Sequence, residues 1–334
     1  MTSLLNQLIR VVKKPQGIPT ADTFKIEQET LSPLAAGQLL IKNEWLSVEP
    51  AMRGWLADAQ NYASVPVGEV MRALCVGRVL QSRHPDYQEG ELLLGWFGWQ
   101  HYAQCDPDAV VQRITSSTLS PSLYLGVLGL NGVTAATALE QLGQPKPGDT
   151  VVVSTAAGSV GSCVGQLAKA IGCRTVGLTS SAAKVKACYD TFGYDAVINY
   201  KTDDLHSALS QACPEGVNVY FDNTSGAISD AVMQHLAIGA RVVICGTASI
   251  PQWNPTPMGP RVERILLTRR ARMQGFIIFD HMDTYADYVH QLEQAVLNGQ
   301  LRYTEHITDG LESALNAISE LYQGENLGKR LIRL

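Results

Sequence analysis

Between Val151 and Gly172 the chain reads VVVSTAAGSVGSCVGQLAKAIG, a run of β-branched residues that passes through two glycines into apolar residues at helical spacing. A strand, a tight turn and a helix in that order can hold the pyrophosphate of a dinucleotide. Gly158 lets the backbone approach the phosphates and Gly161 lets the helix pack closely on the sheet. The unpaired amides at the start of the helix, which follows Gly158, Ser159, Val160 and Gly161 in the turn, face the negative charge. Ala156 occupies the place of the first glycine of the GxGxxG fingerprint. A tight turn with no ligand is the alternative use of the same residues. No Gly-Lys-Ser or Gly-Lys-Thr follows, which disfavours a nucleotide-hydrolysing P-loop.

The following strand bears on the form of the cofactor. NAD enzymes place an Asp or Glu about 20 residues past the first glycine to bind the ribose 2′-hydroxyl. Here that strand ends Leu178, Thr179, Ser180, with no acid, and Lys184 follows closely. A 2′-phosphate meets no repulsion there and gains a cation, so NADPH is expected over NADH. With NADH, Lys184 would be an ordinary solvated helix lysine. A catalytic zinc needs three converging protein ligands. Glu44, Glu49 and Glu69 have no Cys or His beside them, and His84 and His101 have no partner, so no metal is expected. Hydride transfer without a metal suits an acceptor that is already electrophilic, such as a double bond conjugated to a carbonyl, or a quinone.

Around this turn the sequence alternates strand and helix patterns from about Gly148 onward. After 151–156, strands are expected at 175–178, 196–198, 217–221, 240–245 and 273–279, and helices at 160–172, 285–298 and 311–322. Six strands alternating with helices predict an α/β fold with a doubly wound parallel sheet. Before residue 125, short apolar runs punctuated by Gly and Pro predict an antiparallel β domain. The last residues again resemble a strand and are expected to rejoin it. The predicted domains are therefore 1–125 with 300–334, and 126–299 as an insertion. The Pro-rich segment between Gly246 and Pro260 follows a strand end, where irregular loops border ligand sites.

The 334 residues carry 26 Lys and Arg against 31 Asp and Glu, a net charge of −5. That balance disfavours nucleic acid as a partner. The cluster Arg261, Arg264, Arg269, Arg270 and Arg272 is read as a solvated helix face. No stretch approaches the ~18 apolar residues of a membrane span, and the N-terminus lacks an export signal, so no membrane is expected. Seven cysteines without a CxxC pair fit reduced thiols in the cytoplasm.

The chain resembles the zinc-independent medium-chain dehydrogenases/reductases, in the branch of leukotriene B4 dehydrogenase, prostaglandin reductase and 2-alkenal (double-bond) reductase. The resemblance spans nearly the whole chain. It is carried by NEWLSVEPAMRG (43–54), LGVLGLNGVTA (125–135), QPKPGDTVVVSTAAGSVGS (144–162), INYK (198–201), YFDNTSG (220–226), VICG (243–246), MQGFIIFD (273–280), ITDGLESA (307–314) and GENLGK (324–329). It implies a GroES-like β domain and a Rossmann domain meeting at a cleft, usually in a homodimer. It further implies that Lys184 and Tyr200 contact the 2′-phosphate and that Gly158 to Gly161 hold the pyrophosphate. Asn223, Cys245, Gly246, Phe276, Ile278 and Asn326 match other cofactor contacts, and Thr134 matches a threonine near the nicotinamide. Asn223 and Asn326 beside glycines are also ordinary turn residues, and Cys245 is also an ordinary small core residue.

The branch's pocket tyrosines are altered. Ala51 and Ala136 stand where relatives commonly carry tyrosine, and SIPQWN replaces SQYN, with Trp253 near a third such position. Tyr62 matches a tyrosine that lines the active site in relatives, and is otherwise a surface-loop residue. The implied reaction is NADPH-dependent reduction of the carbon–carbon double bond of an enal or enone, with Tyr62 as donor to the carbonyl oxygen or as proton relay. Quinone reduction is the alternative with the same cofactor. An NADPH-binding protein without turnover is the alternative of another class.

Overall fold

The structure, a computed structural model, describes residues 4–57, 64–250 and 252–334. It divides into two compact units, Met1–Leu125 with Glu305–Leu334, and Gly126–Thr304. In chain order the strands are β1 (Leu5–Val11), β2 (Phe24–Thr30), β3 (Leu39–Ser47), β4 (Cys75–Ser82), β5 (Leu92–Gly95), β6 (Tyr102–Cys105), β7 (Val110–Arg113), β8 (Thr150–Ser154), β9 (Arg174–Thr179), β10 (Ala196–Asn199), β11 (Val217–Asp222), β12 (Leu236–Ile244), β13 (Arg272–Gly275), β14 (Glu305–Asp309) and β15 (Lys329–Arg333). The α-helices are α1 (Met52–Leu56), α2 (Leu130–Ala138), α3 (Ser159–Ala170), α4 (Ala182–Asp190), α5 (Leu205–Ala212), α6 (Gly226–Gln234), α7 (Glu263–Arg269), α8 (Tyr285–Leu297) and α9 (Ala314–Gln323).

The first unit pairs β1 with β2 and builds a larger sheet in the order β14-β15-β3-β4-β5-β7, with β6 also on β3. Its pairings are antiparallel except β14 with β15. The C-terminal strand thus lies beside β3, from Leu331 opposite Ser47 to Arg333 opposite Trp45. Leu39, Ile41, Leu46, Phe97 and Trp99 are fully buried in this unit's core, each contributing about 1.5–3 kcal/mol by leaving water. The Trp99 indole N–H donates to Ser47 O at 3.1 Å, so its one polar atom is satisfied.

The second unit is a parallel six-stranded sheet in the order β10-β9-β8-β11-β12-β13. That is the dinucleotide-type order, with its reversal point beside β8. Every residue of β8 is buried, as helices on both faces of a parallel sheet require. Two expected strands end two or more residues early. β8 stops at Ser154 because Thr155 takes a left-handed φ of 55°. β13 stops at Gly275: Phe276 N–H still donates to Ile244 O at 3.0 Å, but β12 ends there, and Ile278–Thr284 coils into 3-10 turns. Helix 311–322 proves to be a 3-10 turn, Leu311–Ser313, leading into α9. The arginine-rich stretch contains α7, none of whose residues is buried. Among the described residues no helix is long and apolar enough to cross a membrane.

Close packing of α3 on the sheet depends on two glycines. A Cβ on Gly161 would lie 2.3 Å from Thr155 O, and one on Gly165 would lie 2.2 Å from the Tyr194 ring. Tyr194 is buried, and its hydroxyl donates to Gly161 O at 2.6 Å, which fixes the start of α3 from below. Gly165→Ala is therefore expected to destabilise the protein by about 1–3 kcal/mol through overpacking. Urea denaturation measures this, and Gly165→Ala/Tyr194→Leu should recover part of the loss.

Candidate functional site

At the C-terminal ends of the parallel strands, the turn after β8 delivers the chain into α3. Gly158 is the helix N-cap, with extended backbone and no side-chain cap. The first amides of α3 therefore project from the helix end as free donors carrying the positive pole of its dipole. Gly158 is also required by the turn itself, since a Cβ there would sit 2.8 Å from Thr155 Cγ2. Ser159, Val160 and Gly161 follow as the first helical residues.

The ends of β9 and β10 are tied together by Tyr200 N–H, which donates to Thr179 O at 3.0 Å. Tyr200 packs half-buried on the sheet's core. Ser181 caps α4 by accepting from Lys184 N–H at 3.4 Å, so Lys184 sits in the first helical turn. Burial, and then the charge of Lys201, lower the Lys184 pKa below the ordinary lysine value. Two cations repel each other here, and neither makes an ion pair among the described residues. A dianion placed between them would relieve that repulsion. Lys201 was not among the sequence-derived candidates, although it adjoins Tyr200 in the INYK string.

The middle of this edge is organised by the fully buried Asp222 at the end of β11. Its Oδ1 accepts from Tyr220 OH at 2.9 Å, Ser154 Oγ at 3.2 Å, Thr224 N–H at 2.9 Å and Oγ1 at 3.1 Å, and Ser225 N–H at 2.9 Å. Its Oδ2 accepts from Ser229 Oγ on α6 at 2.7 Å. Its carbonyl receives Cys245 N–H at 2.8 Å and Gly246 N–H at 3.0 Å. Asn223 is clamped to β8, donating from N–H to Ser154 Oγ at 2.8 Å and from Nδ2 to Ser154 O at 2.7 Å. Gly246 passes so close that a Cβ would lie 2.8 Å from Asn223 O. Burial pushes the Cys245 thiol up to about 12, so its sulfur is a neutral thiol at pH 7 and its backbone is what borders the edge.

Comparison with known proteins places this geometry. A family model described as the N-terminal domain of oxidoreductase matches residues 7–113, and one described as zinc-binding dehydrogenase matches 159–294. The chain is 37% identical to the NADPH-dependent curcumin reductase of Escherichia coli over 332 residues, covering 97% of this chain and 95% of that protein. The chain belongs to the zinc-independent medium-chain dehydrogenase/reductase family. It is also 34% identical to the 2-alkenal reductase (NADP(+)-dependent) of Nicotiana tabacum, covering 95% of this chain and 94% of that one. The crystal structure of CurA in complex with NADPH from Vibrio vulnificus superposes with a TM-score of 0.92 at 38% identity, over 98% of each chain.

Members of this medium-chain family are built from the two units found here, and the residues of the second unit fit a phosphorylated dinucleotide. Its glycine turn leaves the first amides of α3 free, and Lys184 and Lys201 make no ion pair among the described residues. Thr134 is buried in α2, whose start is fixed by Gly132, where a Cβ would lie 1.8 Å from Val127 O. Phe276 stacks on His281 with ring centroids 4.8 Å apart, and Ile278 is buried beside it in sequence. In the first unit, Asn326 donates from Nδ2 to Gly328 O at 2.8 Å, the turn-stabilising use of its side chain. Ala51 precedes α1 and is half-buried against that unit's core. Trp253, in the loop after β12, is 59% exposed. Tyr62 lies outside the described residues. Among the described residues no group of three or more His, Cys, Asp or Glu could hold a metal ion.

Sequence reading missed Asp222, Ser154 and Ser229. An acidic residue ending an apolar strand in YFDNTSG was the available signal for Asp222, whereas its serine partners become neighbours only in the fold. Asp222→Asn places amide hydrogens against hydroxyl and amide donors and removes the charge they solvate. It is expected to cost about 3 kcal/mol or more. Calorimetry should show the transition of the 126–304 unit lowered by about 6–12 °C.

Proposed function

We propose that the protein uses NADPH to reduce the carbon–carbon double bond of an α,β-unsaturated aldehyde or ketone. The observation that carries the cofactor assignment is the placement of Lys184 and Lys201 at the strand ends beside the uncapped glycine turn, neither in an ion pair among the described residues, with the Asp203 carboxylate taken up by Asn199 N–H. Support for the acceptor class comes from the relatives, whose names specify curcumin and 2-alkenals. NADPH, when bound, supplies hydride to the β-carbon, and the enolate that forms takes a proton at the α-carbon.

In this reading Lys184, Lys201 and Tyr200 hold the 2′-phosphate, and the turn at Gly158, whose own N–H donates to Thr155 O, presents the amides of Ser159, Val160 and Gly161 to the pyrophosphate. Asn223, Cys245, Gly246, Phe276, Ile278, Thr134 and Asn326 border the remainder of the cofactor. Tyr62 donates to the carbonyl oxygen, where charge develops in the transition state. Ala51 and Trp253 belong to the acceptor pocket, with alanine in place of a bulky ring widening it. The seven free thiols support a reducing, cytoplasmic setting, and a homodimer is the assembly that the family resemblance implies.

The test is loss of NADPH absorbance against a medium-chain 2-alkenal, an aryl enone, a benzoquinone, and a simple alcohol with NADP. Turnover with the enal or enone is expected. Turnover with the quinone alone would establish the alternative chemistry, and NADPH binding with no turnover would establish a binding protein. Lys184→Ala should raise the KM for NADPH about 10- to 100-fold, the worth of a charge-assisted contact, and change that for NADH less than about 2-fold. The preference for NADPH over NADH should be fullest above the second phosphate pKa near ~6. It should decline as pH rises through the lowered pKa of Lys184, because the ammonium then loses its charge. Initial rates with both cofactors across pH measure this. Tyr62→Phe should lower kcat on enones with little change in the affinity for NADPH.

A further inference from the structure

The first unit buries an ion pair that the reaction as described does not use. Lys329 opens β15 and is 4% exposed. Its ammonium donates to Ser47 Oγ at 2.8 Å, to Val48 O at 3.3 Å and to Glu49 Oε1. Ser47 Oγ in turn donates to the same Glu49 oxygen at 2.6 Å. Across the sheet Lys329 stands in register with Glu305, whose carboxyl accepts from Ser122 Oγ at 3.1 Å. Burial lowers the Lys329 pKa and Glu49 opposes that shift.

Such a pair adds little net stability over apolar side chains of the same volume, but it is demanding in geometry. The segments it joins are what matter here. The Asn326–Gly328 turn runs directly into Lys329. Glu49 lies two residues before Ala51, and its carbonyl accepts Met52 N–H at 3.1 Å to begin α1. Two further bonds brace the same corner: Val48 N–H to Arg330 O at 3.3 Å and Tyr322 OH to Pro50 O at 2.9 Å.

We propose that Lys329 and Glu49 are positioning residues that hold the Asn326 turn and the Ala51 corner in one register, so that together they set the affinities for cofactor and acceptor. The inference rests on the reading that Asn326 borders the cofactor and Ala51 the acceptor. An apolar pair of the same size would fill the space without the directional bonds to Ser47 Oγ and Val48 O, and would leave only the β3–β15 ladder and the Val48–Arg330 and Tyr322–Pro50 bonds to align the two segments. The role is therefore separable from stability.

The experiment compares wild type, Glu49→Gln, Lys329→Met, Lys329→Arg and the double variant Glu49→Gln/Lys329→Met by thermal unfolding, NADPH fluorescence titration and steady-state kinetics. Each neutralising single variant should lower Tm and raise both the Kd for NADPH and the KM for the enone at least about 5-fold. The double variant removes both charges of the pair, although Glu305 loses its neighbouring cation, and should regain part of the Tm, yet keep both affinities weakened while kcat changes less than about 2-fold. Lys329→Arg should remain nearer to wild type than Lys329→Met. Recovery of stability and both affinities together in the double variant would overturn the proposal, as would a double variant that does not fold, since either makes the pair purely structural. Wild-type protein with no affinity for NADPH would instead defeat the underlying assignment of function, and this inference with it.

Discussion

The carboxylate of Asp222 is the constraint on which the candidate edge of the parallel sheet depends. It is fully buried, and burying a charge is costly unless donors surround it. Those donors come from the end of β8 through Ser154, from β11 through Tyr220, from the turn at Thr224 and Ser225, and from α6 through Ser229. Satisfying one charge thus brings four segments to a common point. Its carbonyl adds the end of β12 by receiving the amides of Cys245 and Gly246. The strand ends that face a dinucleotide in this family are therefore coupled, and none can shift alone without leaving a buried donor or acceptor unpaired.

Around this anchor, the edge presents the first amides of α3 and the charges of Lys184 and Lys201, while the carboxylates of Asp222 and Asp203 are taken up by donors of their own. The start of α3 offers free amides because glycine caps it without a side chain. Tyr194 fixes that helix end from within the core, bonding to Gly161 O while its ring occupies the space that a side chain at Gly165 would need. At the ends of β9 and β10, Lys184 carries a charge made less comfortable by burial and by Lys201. An anion with its charge at two places, a pyrophosphate and a separate phosphate, would answer both features. A ribose hydroxyl alone would leave the lysines unanswered.

Much of this was legible in the sequence, and the exceptions have physical reasons. The βα alternation, the glycine turn, the acid-free end of β9 and Lys184 are local features written in consecutive residues. The short extent of β8 and β13 was not legible. Thr155 adopts a left-handed backbone that its residue type does not announce, and β13 loses its neighbour where β12 ends. Lys201 was adjacent to a matched tyrosine but depends on the ends of β9 and β10 being paired. Asp222 and Lys329 were present in matched strings, yet their significance comes from partners up to 282 residues away in sequence, as Lys329 and Ser47 show. Asn326 is a matched residue whose side chain also donates within its own turn, a use that its place beside glycine made legible.

The central claim is that hydride is delivered to the β-carbon of a conjugated acceptor. The most direct measurement is a turnover of an enone with NADPH carrying deuterium at the transferable position, followed by NMR of the product. The account predicts a saturated ketone labelled at the β-carbon, with the α-carbon proton drawn from water. Deuterium on a carbinol carbon, or a product that retains the double bond, would contradict it.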